Sequence, residues 1–251
     1  LAANTADQQA FDRLLAGLPQ VRLDDDGTPR TYYVWEGDML LNAEEIRAMI
    51  YSKKAGTQPA RGAEELLLQV RSDGLPGYWK WGARALTYSV DCATFATPTQ
   101  CGTTRRLFAA AAKDWVKACD ACGIGFREVT VPGAPVTFRV RFEPDQYAYL
   151  AIAFFANDAP FKRTVSVTPG FFTTSFNQTG ILRHEIGHIL GYRHEHNRAL
   201  TGCYFEDDRW VALTDYDHKS VMHYFCGGGG TRALTLSSSD IAGHRELYSK
   251  R

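Results

Sequence analysis

Apolar residues recur along this chain in two rhythms, one that marks helices and one that marks strands. Near the start, Phe11, Leu14, Leu15 and Leu18 are spaced by three and four, which predicts a helix with one apolar face over residues 6–18. Thr31 to Trp35 (TYYVW) is a β-branched and aromatic run and predicts a strand. Asn42 followed by Glu45 has the form of a helix start in which each side chain bonds the other's backbone amide. That helix is expected to run to about Lys54 and to end at Gly56. Gly56 to Arg61 (GTQPAR) and Arg71 to Gly77 (RSDGLPG) are rich in turn formers and predict loops, either of which could be cut by a protease.

From Tyr78 onward the pattern is denser. Ala85 to Val90 predicts a strand, and Thr103 to about Ala121 a long helix with Leu107, Ala111, Trp115 and Ala118 on one face. Val136 to Phe142 alternates as a half-buried strand does, and Tyr149 to Phe155 is a more apolar strand. A shorter one, Arg163 to Val167, is a candidate sheet edge against which an extended peptide could pair. A last helix after Ser239 would turn Ile241, Leu247 and Tyr248 inward, and Gly227 to Gly230 reads as a flexible turn. The sum is an α+β architecture: a twisted mixed sheet, a long backing helix, a second helix and an irregular lower half closed by the C-terminal helix.

The 251 residues leave room for one large domain or for a domain with an extension. Lys+Arg and Asp+Glu balance at 28 each, which removes any net-charge basis for binding nucleic acid or a membrane surface. The longest apolar runs, such as Ala148 to Ala156, are too short to span a bilayer. The chain opens at Leu1 without a basic-then-apolar leader, as expected where a signal peptide has been removed. Six cysteines, Cys92, Cys101, Cys119, Cys122, Cys203 and Cys226, favour disulfides and a secreted, extracellular setting. Cys92–Cys101 would close a short loop and Cys203–Cys226 would brace a later segment. Cys119 and Cys122 form a C-x-x-C that could be a redox pair or half a metal site. No second such pair and no thioredoxin-like βαβ pattern accompanies it, so a local disulfide is expected.

The chemistry concentrates in His184-Glu185-Ile186-Gly187-His188-Ile189-Leu190-Gly191-Tyr192-Arg193-His194. His184 and His188 are four apart, one helical turn above each other on one face, so both imidazoles can reach one cation. Gly191 lets the chain leave the helix abruptly, bringing His194 back as a third ligand. Three nitrogen ligands leave a position open for water, the mark of a catalytic zinc ion rather than a structural one. Glu185 is placed to take a proton from water activated by that ion. A closed structural site would want a fourth protein ligand, and the nearest candidate, Cys203, is expected in a disulfide.

This run fits H-E-x-x-H-x-x-G-x-x-H and resembles the zinc signature of the metzincin metallopeptidases. Further segments are similar to the astacin family: His194-Glu195-His196-Asn197-Arg198, the turn Ser220-Val221-Met222-His223-Tyr224, the end Leu236 to Tyr248, and the opening Tyr78-Trp79-Lys80-Trp81. The H-E-I-G-H spelling also resembles a related group of bacterial secreted metallopeptidases. The resemblance covers roughly residues 78–251 and implies a metzincin-like catalytic domain. It implies that Met222 forms the floor beneath the zinc ligands, that Tyr224 donates to the oxyanion, and that Glu195 anchors a new N-terminus after activation. His196, His218, His223 and His244 carry no catalytic role in it.

Upstream, Trp35-Glu36-Gly37-Asp38-Met39 is similar to a segment of astacin propeptides, in which the aspartate blocks the zinc; the other reading of Gly37-Asp38 is a plain turn. The expectation is a monomeric zinc endopeptidase proenzyme with residues 1–77 as a pro-segment and 78–251 as the catalytic domain. It would act on proteins or peptides after cutting by an activating protease or by itself. Two other readings stay open: a zinc-containing binding or effector protein without turnover, and an amidase for small or cell-wall peptides.

Overall fold

The computed structural model describes residues 5–25, 27–35, 38–52, 66–70, 74–144, 149–198, 200–203 and 209–250. The expected loop 56–61, the predicted end of the second helix beyond Ser52, and Glu36 and Gly37 lie outside them.

The N-terminal unit begins with α1 (Thr5–Ala16), followed by β1 (Gln20–Asp25), β2 (Thr28–Trp35), β3 (Met39–Leu41) and α2 (Ala43–Ser52). The three strands form an antiparallel sheet in the order β1-β2-β3. The start of α2 is the reciprocal cap read from the sequence, with Glu45 N donating to Asn42 Oδ1 at 2.9 Å and Asn42 N to Glu45 Oε2 at 2.8 Å. Phe11, Trp35, Met39 and Ile46 bury one another together with Phe155, a residue of the following body.

That body runs through β4 (Leu67–Gln69), β5 (Ala85–Val90), α3 (Pro98–Ala118), β6 (Gly125–Glu128), β7 (Phe138–Phe142), β8 (Ala151–Ile152), β9 (Thr164–Val167), α4 (Pro169–Thr173), α5 (Gln178–Ile189), β10 (Trp210–Ala212) and α6 (Ser238–Tyr248). Its five-stranded sheet has the order β6-β5-β7-β9-β8, parallel except for the β8–β9 pair. Helix α3 starts five residues before the position expected, because Pro98 suits a first helical position and Thr97 caps it, accepting from Gln100 N at 3.2 Å. Its inner face is the predicted one: Leu107, Ala111, Trp115 and Ala118 are buried, and Trp115 Nε1 donates to Arg183 O of α5 at 2.9 Å.

Two strand readings need correction. Arg163–Val167 was expected at a sheet edge, but β9 has β7 on one side and β8 on the other. The edge belongs to β8, only two residues of the apolar stretch from Tyr149 to Phe155. An alternation pattern tells which face of a strand is buried, not who its neighbours are.

The pairing of β4 with β10 and the strands β1, β3 and β6 were not anticipated. All six cysteines pair as expected: Cys92–Cys101, Cys119–Cys122 and Cys203–Cys226. Among the described residues no helix is long and apolar enough to cross a membrane.

Candidate metal centre

Helix α5 is buried along nearly its whole length and presents His184 and His188 from the same face. Below it lies the Met222 side chain. A Cβ at Gly187 would come within 2.3 Å of Met222 Sδ, so the glycine in this helix is what lets the methionine seat there. Gly191 ends the segment with φ of 102°, and a Cβ there would come within 2.2 Å of Gly77 O. Both requirements, left-handed backbone and close approach, favour glycine alone. The chain then turns so that His194 faces back toward the two helical histidines.

The ring orientations are set by backbone carbonyls. His184 Nδ1 lies 2.7 Å from Val221 O, and His188 Nδ1 lies 2.8 Å from Tyr192 O. A carbonyl can only accept, so each Nδ1 carries the proton and each Nε2 keeps its lone pair free to point inward. The three Nε2 atoms converge on one oxygen: Asp38 Oδ2 is 3.1 Å from His184, 3.6 Å from His188 and 3.0 Å from His194. The hydroxyl of Tyr224 donates to the same oxygen in a very short contact.

Asp38 and the three histidines, all buried, place their ligand atoms within 4.8 Å of one another, and the cluster can hold a metal ion. The donors fit one: lone pairs directed at a common point repel unless a proton or cation sits among them. Asp38 Oδ1, His188 Nε2 and Glu185 Oε2 are buried without a hydrogen-bond partner, unusual unless an ion or solvent completes them. Nitrogen and carboxylate donors of this kind suit zinc.

The electrostatics divide the two carboxylates. Burial would raise the Asp38 carboxyl, but the charge on His194 and the close polar contacts of the three histidine rings outweigh it and hold the group well below its usual range. Glu185 has no such hydrogen bonds; burial and the Asp38 charge outweigh the opposing His194 charge and push it well above. Burial also lowers His188 to about 4, which keeps its ring neutral.

The walls come from neighbouring turns. The ring of Tyr224 lies 4.2 Å from that of His194, and His196 stacks on both. The glycine turn is packed rather than free: a Cβ at Gly229 would come within 2.4 Å of the His223 ring, and one at Gly230 within 2.6 Å of Tyr224 O. Asp240 of α6 bonds Ser220 Oγ at 2.6 Å and Val221 N at 2.9 Å, fixing the turn that carries Met222 and Tyr224. Glu195 is buried next to the centre, paired with Arg198 at 3.3 Å and accepting from Asp217 N at 3.1 Å.

No protein-family model matches the chain, and no curated protein does. Two solved structures of myroilysin are similar to it. One has a TM-score of 0.51 at 18% identity over 74% of this chain and 99% of that one; the other has 0.46 at 17%, over 78% and 96%. The chain shares its fold with myroilysin.

Beside the metal cluster opens a cavity of about 350 Å³ that the sequence reading did not foresee. Its apolar walls are Tyr149, Leu150, Phe176, Ile181, Phe225 and Leu234, with Glu185 and Asp38 at the inner end. These residues come from six separate segments, so no local motif announces them. The one sequence signal was Phe225, an apolar residue directly after the tyrosine of the turn; in the fold it is 54% exposed.

Proposed function

We propose that the chain is a zinc endopeptidase held latent by its own N-terminal segment. The observation that carries this reading is the convergence of three histidine Nε2 atoms, one aspartate oxygen and one tyrosine hydroxyl on a single buried point beside an unpartnered glutamate. Likeness in fold to myroilysin supports it.

His184, His188 and His194 would hold the zinc. When bound, zinc lowers the pKa of water toward neutrality and polarises a carbonyl. Glu185, next to the first ligand, accepts the proton of the attacking water and delivers one to the departing amine. The Tyr224 phenol, freed from Asp38, donates to the scissile carbonyl oxygen as negative charge grows on it. Met222 is the apolar floor that keeps the ligand helix at its height. Glu195 would receive the new N-terminus after activation.

Asp38 occupies the position water needs. Met39, beside it, bridges to Ala153 just past edge strand β8, so the pro-segment takes the track of a peptide substrate. The apolar cavity next to Glu185 would seat a large apolar side chain flanking the cleaved bond. The substrates are therefore proteins or peptides carrying such a residue. Three disulfides and the absence of a membrane-crossing helix among the described residues fit a secreted enzyme.

Casein cleavage by the purified chain, before and after limited trypsin treatment and with or without a chelator, tests this. The expected result is chelator-sensitive cleavage that arises only after trypsin. Activity in the uncut chain would keep the peptidase and remove latency; inactivity in every state, with zinc bound, would remove the peptidase.

A further inference from the structure

Leu66 to Val70 precede the boundary expected at Gly77, yet their backbone partners lie in the body, not in the N-terminal sheet. On one side β4 pairs antiparallel with β10, and Leu213 N donates to Leu66 O at 2.8 Å. On the other side it grips the turn after α5. Gln69 N donates to Gly191 O and Arg193 N to Leu67 O, each at 2.8 Å, and Arg193 Nη1 donates to Gln69 Oε1 at 2.9 Å. The next residue after Arg193 is the metal-cluster histidine His194.

The packing is equally close. Leu66, Leu67 and Leu68 are at most 2% exposed, and Leu66 and Leu68 belong to the main core with Ile189, Leu190 and Tyr192. Gly77 is buried against Gly191, and its N–H donates to Gln69 O at 2.8 Å. A protease must reach its target from solvent and pair with its free backbone, and this strand is buried with its backbone groups already bonded on both sides.

We propose that β4 is a positioning strand of the metal centre that the active enzyme keeps, and that the segment removed on activation ends before Leu66. The second half of this statement rests on the latency reading; the first half does not. Without β4, the carbonyl of Gly191 and the amide of Arg193 would lose their partners, and the turn that aims His194 would lose one wall.

The test uses the full zinc-loaded chain under limited trypsin digestion, followed by native and denaturing mass spectrometry with zinc content measured on the same fraction. The core that keeps zinc after losing residues 5–52 is expected to carry residues 66–70, continuous with the body or as a nicked strand that stays bound. A zinc-loaded core lacking those residues would overturn the proposal. Caseinolysis on the same fractions reports separately on latency, since an active uncut chain removes the zymogen without touching the mass result. Should the chain resist cutting, Gln69→Ala decides. Zinc loss to a chelator is expected to speed up by roughly tenfold or more, and Gln69→Glu, which still accepts from Arg193, to restore the slow rate. Equal rates in all three chains would overturn the positioning role.

Discussion

Two buried carboxylates in one centre behave oppositely because one is partnered and the other is not. Asp38 stays ionised among histidines, whereas Glu185 is pushed up by burial and by Asp38 itself. Glu185→Gln keeps the shape and removes the carboxylate proposed as the base. It is expected to retain zinc in elemental analysis while cleavage by the activated enzyme falls by roughly 10² to 10⁴. Asp38→Ala removes the oxygen proposed to block the metal without cutting the chain, so on the latency reading the uncut variant should cleave casein where the parent does not. Tyr224→Phe should lower kcat by about 10²-fold with little change in KM, because its donor matters most where charge develops. His244 offers a test far from catalysis. Burial, aided by the Arg245 and Arg84 charges, lowers its pKa to about 3, and its Nδ1 meets the Tyr192 hydroxyl at 2.8 Å. The folded state thus keeps His244 neutral, while the unfolded chain takes up a proton below about 6.5. Stability should be full above that pH and fall as the pH drops toward 3, by up to about 1.4 kcal/mol per unit from this residue. Urea titrations of the parent and of His244→Gln at pH 7.5 and 5.0 would show the parent losing more across that interval.

At the level of elements, the turn after α5 depends most on a single residue. Gly191→Ala brings a methyl group against Gly77 O in a backbone conformation that side chains resist. The expected cost is roughly 3 kcal/mol, read by urea unfolding, with weakened zinc retention. This is also where sequence legibility was greatest: the H-E-x-x-H-x-x-G-x-x-H spacing contains the helix, the glycine exit and the third histidine in one local run. The caps at Asn42 and the face of α3 were readable for the same reason, being local. What escaped was non-local. Nothing in Leu66 to Val70 names Trp210–Ala212 as its partner, and nothing in Arg163 to Val167 tells that Ala151–Ile152 will cover its edge. The apolar cavity is assembled from residues as far apart as Tyr149 and Leu234, so it was invisible until the chain was folded.

Across the whole molecule, Cys203–Cys226 ties the segment after the third histidine to the turn carrying Met222 and Tyr224. Closing 23 residues should stabilise the fold by about 3 kcal/mol. The double substitution to serine should lower the denaturation midpoint accordingly, whereas removing Cys119–Cys122, which closes only three, should cost less. The N-terminal unit is held differently. Lys162 of the body reaches Glu45 at 3.2 Å and the face of Tyr32 at 4.5 Å, and Phe155 completes the small cluster of Phe11, Trp35, Met39 and Ile46 while its edge meets the His188 ring at 5.2 Å. A unit of roughly fifty residues is marginal by itself and draws on the body for burial. On the ribosome it emerges before the body, but its own centre stays open until Phe155 has been translated and the body has begun to assemble. The unit thus precedes the body in order of synthesis, yet its packing is complete only once the body has supplied Phe155.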